Sequence, residues 1–526
     1  MTSSSRRWIY AVWVVALGCF AAIHALNLSA DFPNHSPWAA DWAKYTDEGW
    51  YGNAAVRAHL FGNWYIPGDF NLAAAVPVWP FLEWVLFFFT GVTVEAARGL
   101  AVGVFFLNLA LSYLLLRRSG PRWMALLALT LAVTSPFLFA FSRLAILEPL
   151  LTAFLLAALN LAVRVGGMRR PLRASVGIGL LFTLMVLTKT TAVFLLPALG
   201  WALLLPLWRN RKLAWRCAAA AGGTFAVAFG GWMALLLATG LFADYNYYFF
   251  INKYIKPPEF YWPALSLWWS LRGCLWVDHI LAPLAGLAVA GAALGWRSRR
   301  ARALLLDPVF GASALVVAGC VFFMTYQNHP QPRYYTVAAF FCFFMVAQAA
   351  HALLGQEGGG LARRLGWAFA GLTALAAGLN GAATLNYAAH PEYTFVDAAG
   401  RLAQYMDQHP NGKRLLLSIS GDEITLVSHV PSLCDDFGTL DLVSKLGRYQ
   451  PGWFATWNDI DPGTLEDLHS RYSLEQVASF RAFDHPERNV LVLFKLHPWP
   501  DGRLRDPSAE NLQVPLPGDR IEIPIE

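Results

Sequence analysis

Residues 142–154 of the chain read SRLAILEPLLTAF, where an arginine and a glutamate stand directly before a long apolar run. The run predicts a membrane-spanning helix with Glu148 at its outer end and Arg143 shortly before it. A carboxylate at a membrane boundary is costly unless it is paired or solvated, so Glu148 is a candidate functional residue. The structural alternative is a glutamate that faces water in the first turn of a helix.

The composition of the chain predicts a membrane protein. Of the 526 residues, 56% are hydrophobic and 14% are charged, whereas soluble domains carry roughly 25% charged residues. Apolar runs recur along most of the length, which predicts an α-helical polytopic membrane protein with about 11 to 13 transmembrane helices. The net charge of +6 comes from short basic clusters between these runs. That pattern is typical of membrane topology and does not indicate nucleic-acid binding.

The basic clusters also predict the orientation of the chain. We place spans at residues 8–28, 100–116, 123–140, 149–163, 174–187, 191–208, 213–241, 280–296, 304–326, 335–354 and 365–387. Alternating these spans puts all basic clusters on one side, which the positive-inside rule makes cytoplasmic. This topology requires the short segment 78–90, which contains Glu83, to lie in the membrane interface. If that segment crosses the membrane instead, every later loop changes side.

The predicted outer side collects the unusual residues. Residues 1–390 form a transmembrane domain with a first external loop at 29–77, which carries interfacial helices, and a second long external loop at 242–279. From residue 391 the composition becomes that of a soluble domain. We predict a small extracytoplasmic α/β domain over 391–526, with a helix at 393–408 and buried strands at 414–420 and 489–496.

The first external loop contains KYTDEGWYGNAAVRAHLFGNWYIPG, residues 44–68, with the adjacent acids Asp47 and Glu48. Thr46 can cap a helix that begins here, acids suit its first turn, and Gly62 can end it. Tyr51 falls on the face that would point inward. Capping accounts for the position of the acids but not for the aromatic residues around them, so both acids are also catalytic candidates.

Three further segments offer cations on the same side. Lys189 interrupts an apolar run in VLTKTTAVFLLP, residues 186–197, and is either a snorkelling lysine or a phosphate ligand. The segment YQNHPQPRYYTV, residues 326–337, brings His329, Arg333 and Tyr334 to the start of a span. They are either anchors in the membrane interface or ligands of a lipid phosphate. The loop 242–279 mixes Arg272 and other charged residues with many aromatics, which suit either an interfacial belt or contacts to a sugar and a phosphate.

These motifs together resemble the GT-C membrane glycosyltransferases, specifically the superfamily of protein O-mannosyltransferases and lipid A aminoarabinose transferases. The resemblance rests on the acidic pair in YTDEGWY, the segment SRLAILEP, the turn Thr188-Lys189 and the pair Arg333-Tyr334. Two features depart from the family pattern. The segment NLAAAVPVWPF, residues 71–81, lacks the basic residue often found there, and the second acid is Glu148 where aspartate is common.

The resemblance implies an inverting transfer of a monosaccharide, a hexose or a pentose, from a polyprenyl-phosphate or dolichyl-phosphate donor to a hydroxyl or phosphate of a lipid, glycan or protein acceptor. It implies that Asp47 is the general base, that Glu148 positions the acceptor or shares the base role, and that Glu48 supports the first loop. The remaining implied roles are donor phosphate binding by Lys189, Arg272, His329, Arg333 and Tyr334, and support by Arg143 and Tyr51. No cofactor or metal site is predicted, although Asp47 and Glu148 are compatible with a divalent cation.

The alternative from another class is a transporter or flippase of a lipid-linked glycan. Transporters bury charges near the membrane midplane and often contain internal repeats. In this chain the charged residues lie at the ends of predicted spans, and the sequence shows no internal repeat. We therefore expect an enzyme of a bacterial inner membrane, with its active site and C-terminal domain facing the periplasm.

Overall fold

The computed structural model describes residues 3–33, 41–252, 280–327, 331–355, 361–485 and 488–500. In the described membrane region the α-helices are α1 Ser3–Ile23, α2 Asp47–Phe61, α3 Val78–Thr90, α4 Val94–Ser119, α5 Arg122–Thr134, α6 Pro136–Phe141, α7 Leu147–Ala162, α8 Pro171–Thr188, α9 Leu196–Leu204, α10 Arg211–Thr239, α11 Phe242–Asn246, α12 Leu281–Leu294, α13 Arg299–Leu305, α14 Pro308–Gln327, α15 Tyr335–Leu354 and α16 Leu361–Ala389. Short 3₁₀ turns, among them Thr190–Leu195 and Pro332–Tyr334, extend several of these helices.

Eight helical stretches in the described residues are long and apolar enough to cross a bilayer. They are Val94–Ser119, Leu147–Gly167, Pro171–Thr188, Thr190–Leu207, Arg211–Thr239, Pro308–Thr325, Pro332–Leu354 and Arg363–Gln408. This confirms the prediction of an integral, multi-pass helical protein. The other three predicted spans are shorter apolar helices, Arg7–Ile23, Arg122–Thr134 and Leu281–Leu294.

One of these shorter helices results from a local break in the chain. The predicted span 123–140 is divided at Ser135-Pro136, where Pro136 begins α6 and the Ser135 hydroxyl accepts a hydrogen bond from the backbone N–H of Leu138. Proline lacks the N–H that would continue the preceding helix, and serine is a favoured cap residue. The sequence therefore forms two helices in place of the single predicted one.

Helix α3 is too short to cross a bilayer alone. Its 13 residues rise about 20 Å, whereas the hydrocarbon core is about 30 Å thick. Trp79 and Glu83 are buried, while Phe88 and Phe89 are exposed on an apolar face. This length and this apolar face support the predicted position in the interface.

Helix α15 is the centre of the bundle. Every residue from Tyr335 to Ala350 is buried, and the helix packs against α5, α7, α12, α14 and α16. A helix that is apolar all round belongs inside a bundle, where neighbours cover every face. The central position of α15 therefore brings Arg333 and Tyr334, which directly precede it, to the centre of one end of the helix bundle.

The C-terminal part, residues 391–500, forms a sheet region with helices α17 Thr394–Gln408, α18 Gly421–Ser428, α19 Leu442–Tyr449 and α20 Pro462–His469. Its strands are β1 Leu416–Leu417, β2 Ser432–Leu433, β3 Trp453–Trp457, β4 Tyr472–Arg481 and β5 Val490–Pro498, in the order β2-β1-β3-β5-β4. β1 pairs in parallel with β2 and β3, and β5 pairs antiparallel with β3 and β4. The prediction of a small α/β region is confirmed.

The predicted strand over 414–420 is shorter than expected. Only Leu416 and Leu417 pair with neighbouring strands, because the chain then turns through Ser418 and Ser420 into α18. Tyr45, from the first external loop, packs into the apolar cluster of the sheet region. Since α18 also contacts α2, the first external loop and the sheet region lie on the same side of the helices.

Candidate active site

Asp47 and Glu48 form the buried first turn of α2, and each side chain is 1% exposed. Gly62 adopts a left-handed conformation after Phe61 and ends the helix as predicted. Thr46 occupies the N-cap position as predicted, but its side chain makes no capping bond. The carboxylate of Glu423, in the sheet region, instead accepts a hydrogen bond from the backbone N–H of Gly49 at 2.8 Å.

Asp47 forms an ion pair with Arg333, with 2.9 Å between Oδ2 and Nε. Arg333 is 6% exposed and is also held by Asp41, which accepts hydrogen bonds from its Nη1 and its backbone N–H, each at 2.8 Å. Burial raises the pKa of the Asp47 carboxyl; Arg333 opposes this rise, and Asp41 and Glu148 add to it. The site therefore contains a carboxylate that takes up a proton more readily than an aspartate in water.

Glu148 is the second residue of α7 and forms a buried ion pair with Lys189. Its Oε2 atom is buried without a hydrogen-bond partner among the described residues. Lys189 lies between α8 and the 3₁₀ turn Thr190–Leu195, with its Nζ 4.4 Å from the centre of the Tyr334 ring. The Cζ of Arg333 lies 5.0 Å from the same ring centre. Both cations therefore lie close to the Tyr334 ring.

The two ion pairs belong to one site. Burial raises the pKa of the Tyr51 hydroxyl well above its usual range, and the charges of both Asp47 and Glu148 contribute to that rise. Burial also raises the pKa of Tyr248, with contributions from Tyr334, Asp47 and Glu148. Both tyrosines therefore lie close to the two carboxylates.

An apolar cavity opens beside this site. Glu148, Lys189 and Tyr334 lie at its polar end, and the remaining lining is mostly apolar, contributed by Leu151, Thr191, Phe194, Leu195, Gly319, Cys320, Phe323 and Val337. These residues come from α7, the Thr190–Leu195 turn, α14 and α15. A polar end beside an apolar lining is the arrangement that a phosphate at the end of a hydrocarbon chain requires.

Glu48 has a different environment from Asp47. Arg98 donates to both of its oxygens, from Nε at 2.8 Å and from Nη2 at 2.7 Å, and the backbone N–H of Ala145 donates at 2.8 Å. Arg98 Nη1 also donates to the carbonyls of Leu28 and Ala30. Glu48 thereby ties α2 to α4 and to the segment before α7, which fits the supporting role implied for it better than a catalytic one.

Arg143 contacts the chain that follows α1. Its Nη2 donates to the carbonyls of Leu26 and Asn27, each at 2.6 Å, and its Cζ lies 4.4 Å from the centre of the Phe139 ring. Burial lowers the pKa of Arg143 to about 10, and Arg98 adds to this shift. Any support that Arg143 gives the site therefore passes through the end of α1 rather than through contact with Glu148.

Sequence reasoning missed Asp41, Arg98, Tyr248 and Glu423. Arg98 had a detectable signal, since it interrupts the apolar helix α4 in VEAARGLAV. Arg272 and His329 lie outside the described residues. No three His, Cys, Asp or Glu side chains cluster as a metal site within the described ranges, and the divalent cation considered for Asp47 and Glu148 stays a prediction.

Comparison with known proteins places this geometry in context. The family "Dolichyl-phosphate-mannose-protein mannosyltransferase" matches residues 74–233. The structure resembles ArnT from Cupriavidus metallidurans bound to undecaprenyl phosphate, with a TM-score of 0.58 and 14% identity over 91% of this chain and 98% of that chain. The chain has the GT-C membrane glycosyltransferase fold. The predicted resemblance is confirmed and extends beyond the membrane helices.

Two further structures share the GT-C fold. The oligosaccharyltransferase AglB from Archaeoglobus fulgidus, in complex with an inhibitory peptide and a dolichol-phosphate, aligns with a TM-score of 0.52 and 12% identity over 93% of this chain and 74% of that chain. The arabinofuranosyltransferase AftD from Mycobacteria aligns with a TM-score of 0.50 and 15% identity over 94% of this chain and 40% of that chain. No curated protein matches the sequence significantly.

Proposed function

We propose that the protein is an inverting glycosyltransferase that moves a monosaccharide from a polyprenyl-phosphate donor to an acceptor hydroxyl or phosphate. The observation that carries this proposal is the pairing of Asp47 with Arg333 and of Glu148 with Lys189 around Tyr334, at the polar end of an apolar cavity. The GT-C fold and the match to a dolichyl-phosphate-mannose family support a lipid-linked donor.

The cations are suited to the donor phosphate even though each already contacts a carboxylate. A lysine ammonium has three N–H donors, so Lys189 can keep Glu148 and still bind a phosphate oxygen. A guanidinium has five N–H donors, more than the side-chain contacts of Arg333 to Asp41 and Asp47 require. The polyprenyl chain would then follow the apolar lining of the cavity, beginning at Leu151 and Phe323.

Asp47 is the proposed general base. It accepts the proton of the acceptor hydroxyl as the acceptor oxygen attacks the anomeric carbon. The bond from that carbon to the phosphate oxygen breaks, and polyprenyl phosphate leaves with the electron pair, stabilised by Lys189 and Arg333. The raised pKa of Asp47 favours proton uptake, because a base works best when its pKa lies near the working pH. The unpartnered Oε2 of Glu148 is placed to orient the acceptor.

We place the reaction on the extracytoplasmic side, in a bacterial inner membrane. In the predicted topology the basic clusters lie on the opposite side of the membrane, and the positive-inside rule assigns that side to the cytoplasm. Glu148 is at the start of α7 and Lys189 directly follows α8, so both charges lie at helix ends. Helix ends suit a reaction in the interface better than transport through the midplane.

The experiment offers undecaprenyl phosphate linked to a labelled hexose, pentose or aminopentose to the purified protein in liposomes, with lipid, glycan and peptide acceptors. We expect transfer of one sugar with release of undecaprenyl phosphate and inversion at the anomeric carbon. Movement of an intact labelled lipid-linked sugar across the bilayer, without release of undecaprenyl phosphate, would replace the enzyme with a transporter.

A further inference from the structure

The start of α18 in the sheet region lies directly against α2, the helix that carries Asp47. Residues 418–423 read SISGDE. Glu423 accepts from the Gly49 N–H, and the carbonyl of Ile419 accepts from the Trp50 indole N–H at 3.1 Å. Asp422 accepts from the side chain of Asn53 at 3.0 Å and from that of Arg57 at 2.9 Å. The SISGDE segment therefore binds one complete face of α2.

Glu423 provides the capping hydrogen bond that the Thr46 side chain does not make. The first N–H groups of a helix have no partner within the helix and need a cap. The Gly49 N–H is the third in α2, two residues after Asp47, and its cap comes from a residue 374 positions later in the chain. The conformation of the turn that holds Asp47 thus depends on docking of the sheet region.

The contact also requires glycine at position 49. A Cβ there would lie 2.1 Å from the Glu423 backbone nitrogen and 2.3 Å from the Asp422 carbonyl carbon. Backbone atoms cannot move away as a flexible side chain can, so any side chain at this position would separate the two elements. Gly49 is therefore a point at which docking can be disturbed without removing an acid.

Burial and the neighbouring Glu48 raise the pKa of Glu423 well above its usual range, which favours the neutral form of this acid. A glutamine at position 423 is nearly the same shape and charge as that neutral acid, and its carbonyl oxygen can accept from the Gly49 N–H. A comparison of Glu423→Gln with Glu423→Ala therefore tests the hydrogen bond to Gly49, because only glutamine keeps an acceptor for it.

We infer that Glu423 is a positioning residue for Asp47. From the sheet region, Glu423 caps the first turn of α2 and thereby positions Asp47 in that turn. This inference rests on the proposed function of Asp47 as the base. It makes the sheet region a working part of the active site, because the turn that holds the base is completed only when that region is docked.

The experiment compares Glu423→Ala, Glu423→Gln and Gly49→Ala in the full-length protein, with two controls in the sheet region. Glu475→Ala removes an exposed glutamate on β4, and Gly400→Ala adds a Cβ where no heavy atom lies within 4 Å. We expect Glu423→Ala and Gly49→Ala to lower kcat about 10- to 100-fold, since a displacement of about 1 Å can have such an effect. The KM for the donor should stay nearly constant, and Glu423→Gln and both controls should behave like the wild type.

Hydrogen exchange provides a readout that does not need activity. We expect faster exchange at the first amides of α2 in Glu423→Ala than in Glu423→Gln or Glu475→Ala. Unchanged kcat and exchange in Glu423→Ala would overturn the inference, and so would an equal loss in Glu423→Gln. If the wild type transfers no sugar from any donor, the proposed function fails, whereas the exchange result still decides whether Glu423 orders the turn.

Discussion

Arg333 Nε lies 2.9 Å from Asp47 Oδ2, so the proposed base and a proposed phosphate ligand are already in contact. This contact makes the ionisation of Asp47 sensitive to Arg333, whose charge opposes the upward shift caused by burial. The fall of kcat/KM at acidic pH should accordingly lie above the ordinary aspartate value of 3.8. Protonation of Asp47 removes the base, so activity is lost as the pH falls through its pKa.

Arg333→Gln should move this acidic limb to higher pH. Without the guanidinium, burial, Asp41 and Glu148 raise the pKa of Asp47 against the smaller opposing charge of Lys189. Arg333→Lys keeps a positive charge and should shift the limb less. The check is a profile of kcat/KM against pH for the three proteins. If their acidic limbs coincide, Asp47 is not the group whose protonation causes the loss of activity.

Lys189→Met should weaken binding of undecaprenyl phosphate. A charge-assisted contact contributes about 1.5–3 kcal/mol, which corresponds to a rise in Kd of about 10- to 100-fold. The variant also leaves Glu148 buried without its partner, at a cost in stability of about 3–5 kcal/mol. Binding is measured by titration of the purified protein with undecaprenyl phosphate.

The double variant Lys189→Met/Glu148→Gln separates these two effects. Neutralising Glu148 should recover most of the lost thermal stability, because the unpaired charge is gone. Binding should remain weak, because the cation is still absent. A double variant that binds undecaprenyl phosphate like the wild type would remove Lys189 from the phosphate site.

Arg57→Met should loosen the sheet region from the membrane helices. Arg57 is buried between Asp69 at 2.7 Å and Asp422 at 2.9 Å, so its loss leaves two buried carboxylates without this partner. The expected cost is about 3–5 kcal/mol, visible as faster proteolytic release of the sheet region. The matched control is Arg401→Met, because Arg401 pairs with Asp397 in solvent and should contribute less than about 1 kcal/mol. Equal proteolysis of the two variants would contradict a docking role for Arg57.

Asp31 should make stability depend on pH. Its carboxylate accepts from the backbone N–H groups of Phe395 and Val396 at the start of α17, and burial raises its pKa from 3.8 to about 7. The folded state therefore holds this proton more tightly than the unfolded chain, so stability is highest at low pH and is lost as the pH rises through about 7. The loss is on the order of a few kcal/mol.

Asp31→Asn keeps an oxygen acceptor for α17 but cannot ionise. Its stability relative to the wild type should rise between about pH 4 and about pH 7 and then level off, as measured by thermal unfolding in detergent, with Asp397→Asn as an exposed control. A constant difference across this range would show that Asp31 does not titrate as its burial requires.

The sequence was informative where charge interrupts an apolar pattern. Glu148 and Lys189 were identified on that ground, whereas Asp47 came from the acidic pair of the first external loop and Arg333 from the segment before a span. The structure brings all four into one site. The apolar runs were sufficient for the helical membrane fold, since bilayer thickness sets the length of a span. The contacts of Arg143 to the carbonyls of Leu26 and Asn27 could not be predicted, because its position in the sequence close to Glu148 does not determine where its long side chain lies.

The remaining site residues depend on contacts between distant parts of the chain. Asp41 meets Arg333 across 292 positions, and Glu423 meets Gly49 across 374. No local pattern in a single sequence encodes such pairs. The cap of α2 was assigned to Thr46 because local propensity favours threonine there, whereas tertiary packing supplied the acceptor from α18.

Single-turnover sugar transfer by Asp47→Asn, compared with the wild type and with the exposed control Asp397→Asn, tests the role of Asp47 as the base most directly. We expect Asp47→Asn to be slower by at least about 100-fold. Its binding of undecaprenyl phosphate should be unchanged or tighter, because Arg333 loses a competing anion. Transfer by Asp47→Asn at the wild-type rate would contradict the assignment of Asp47 as the base.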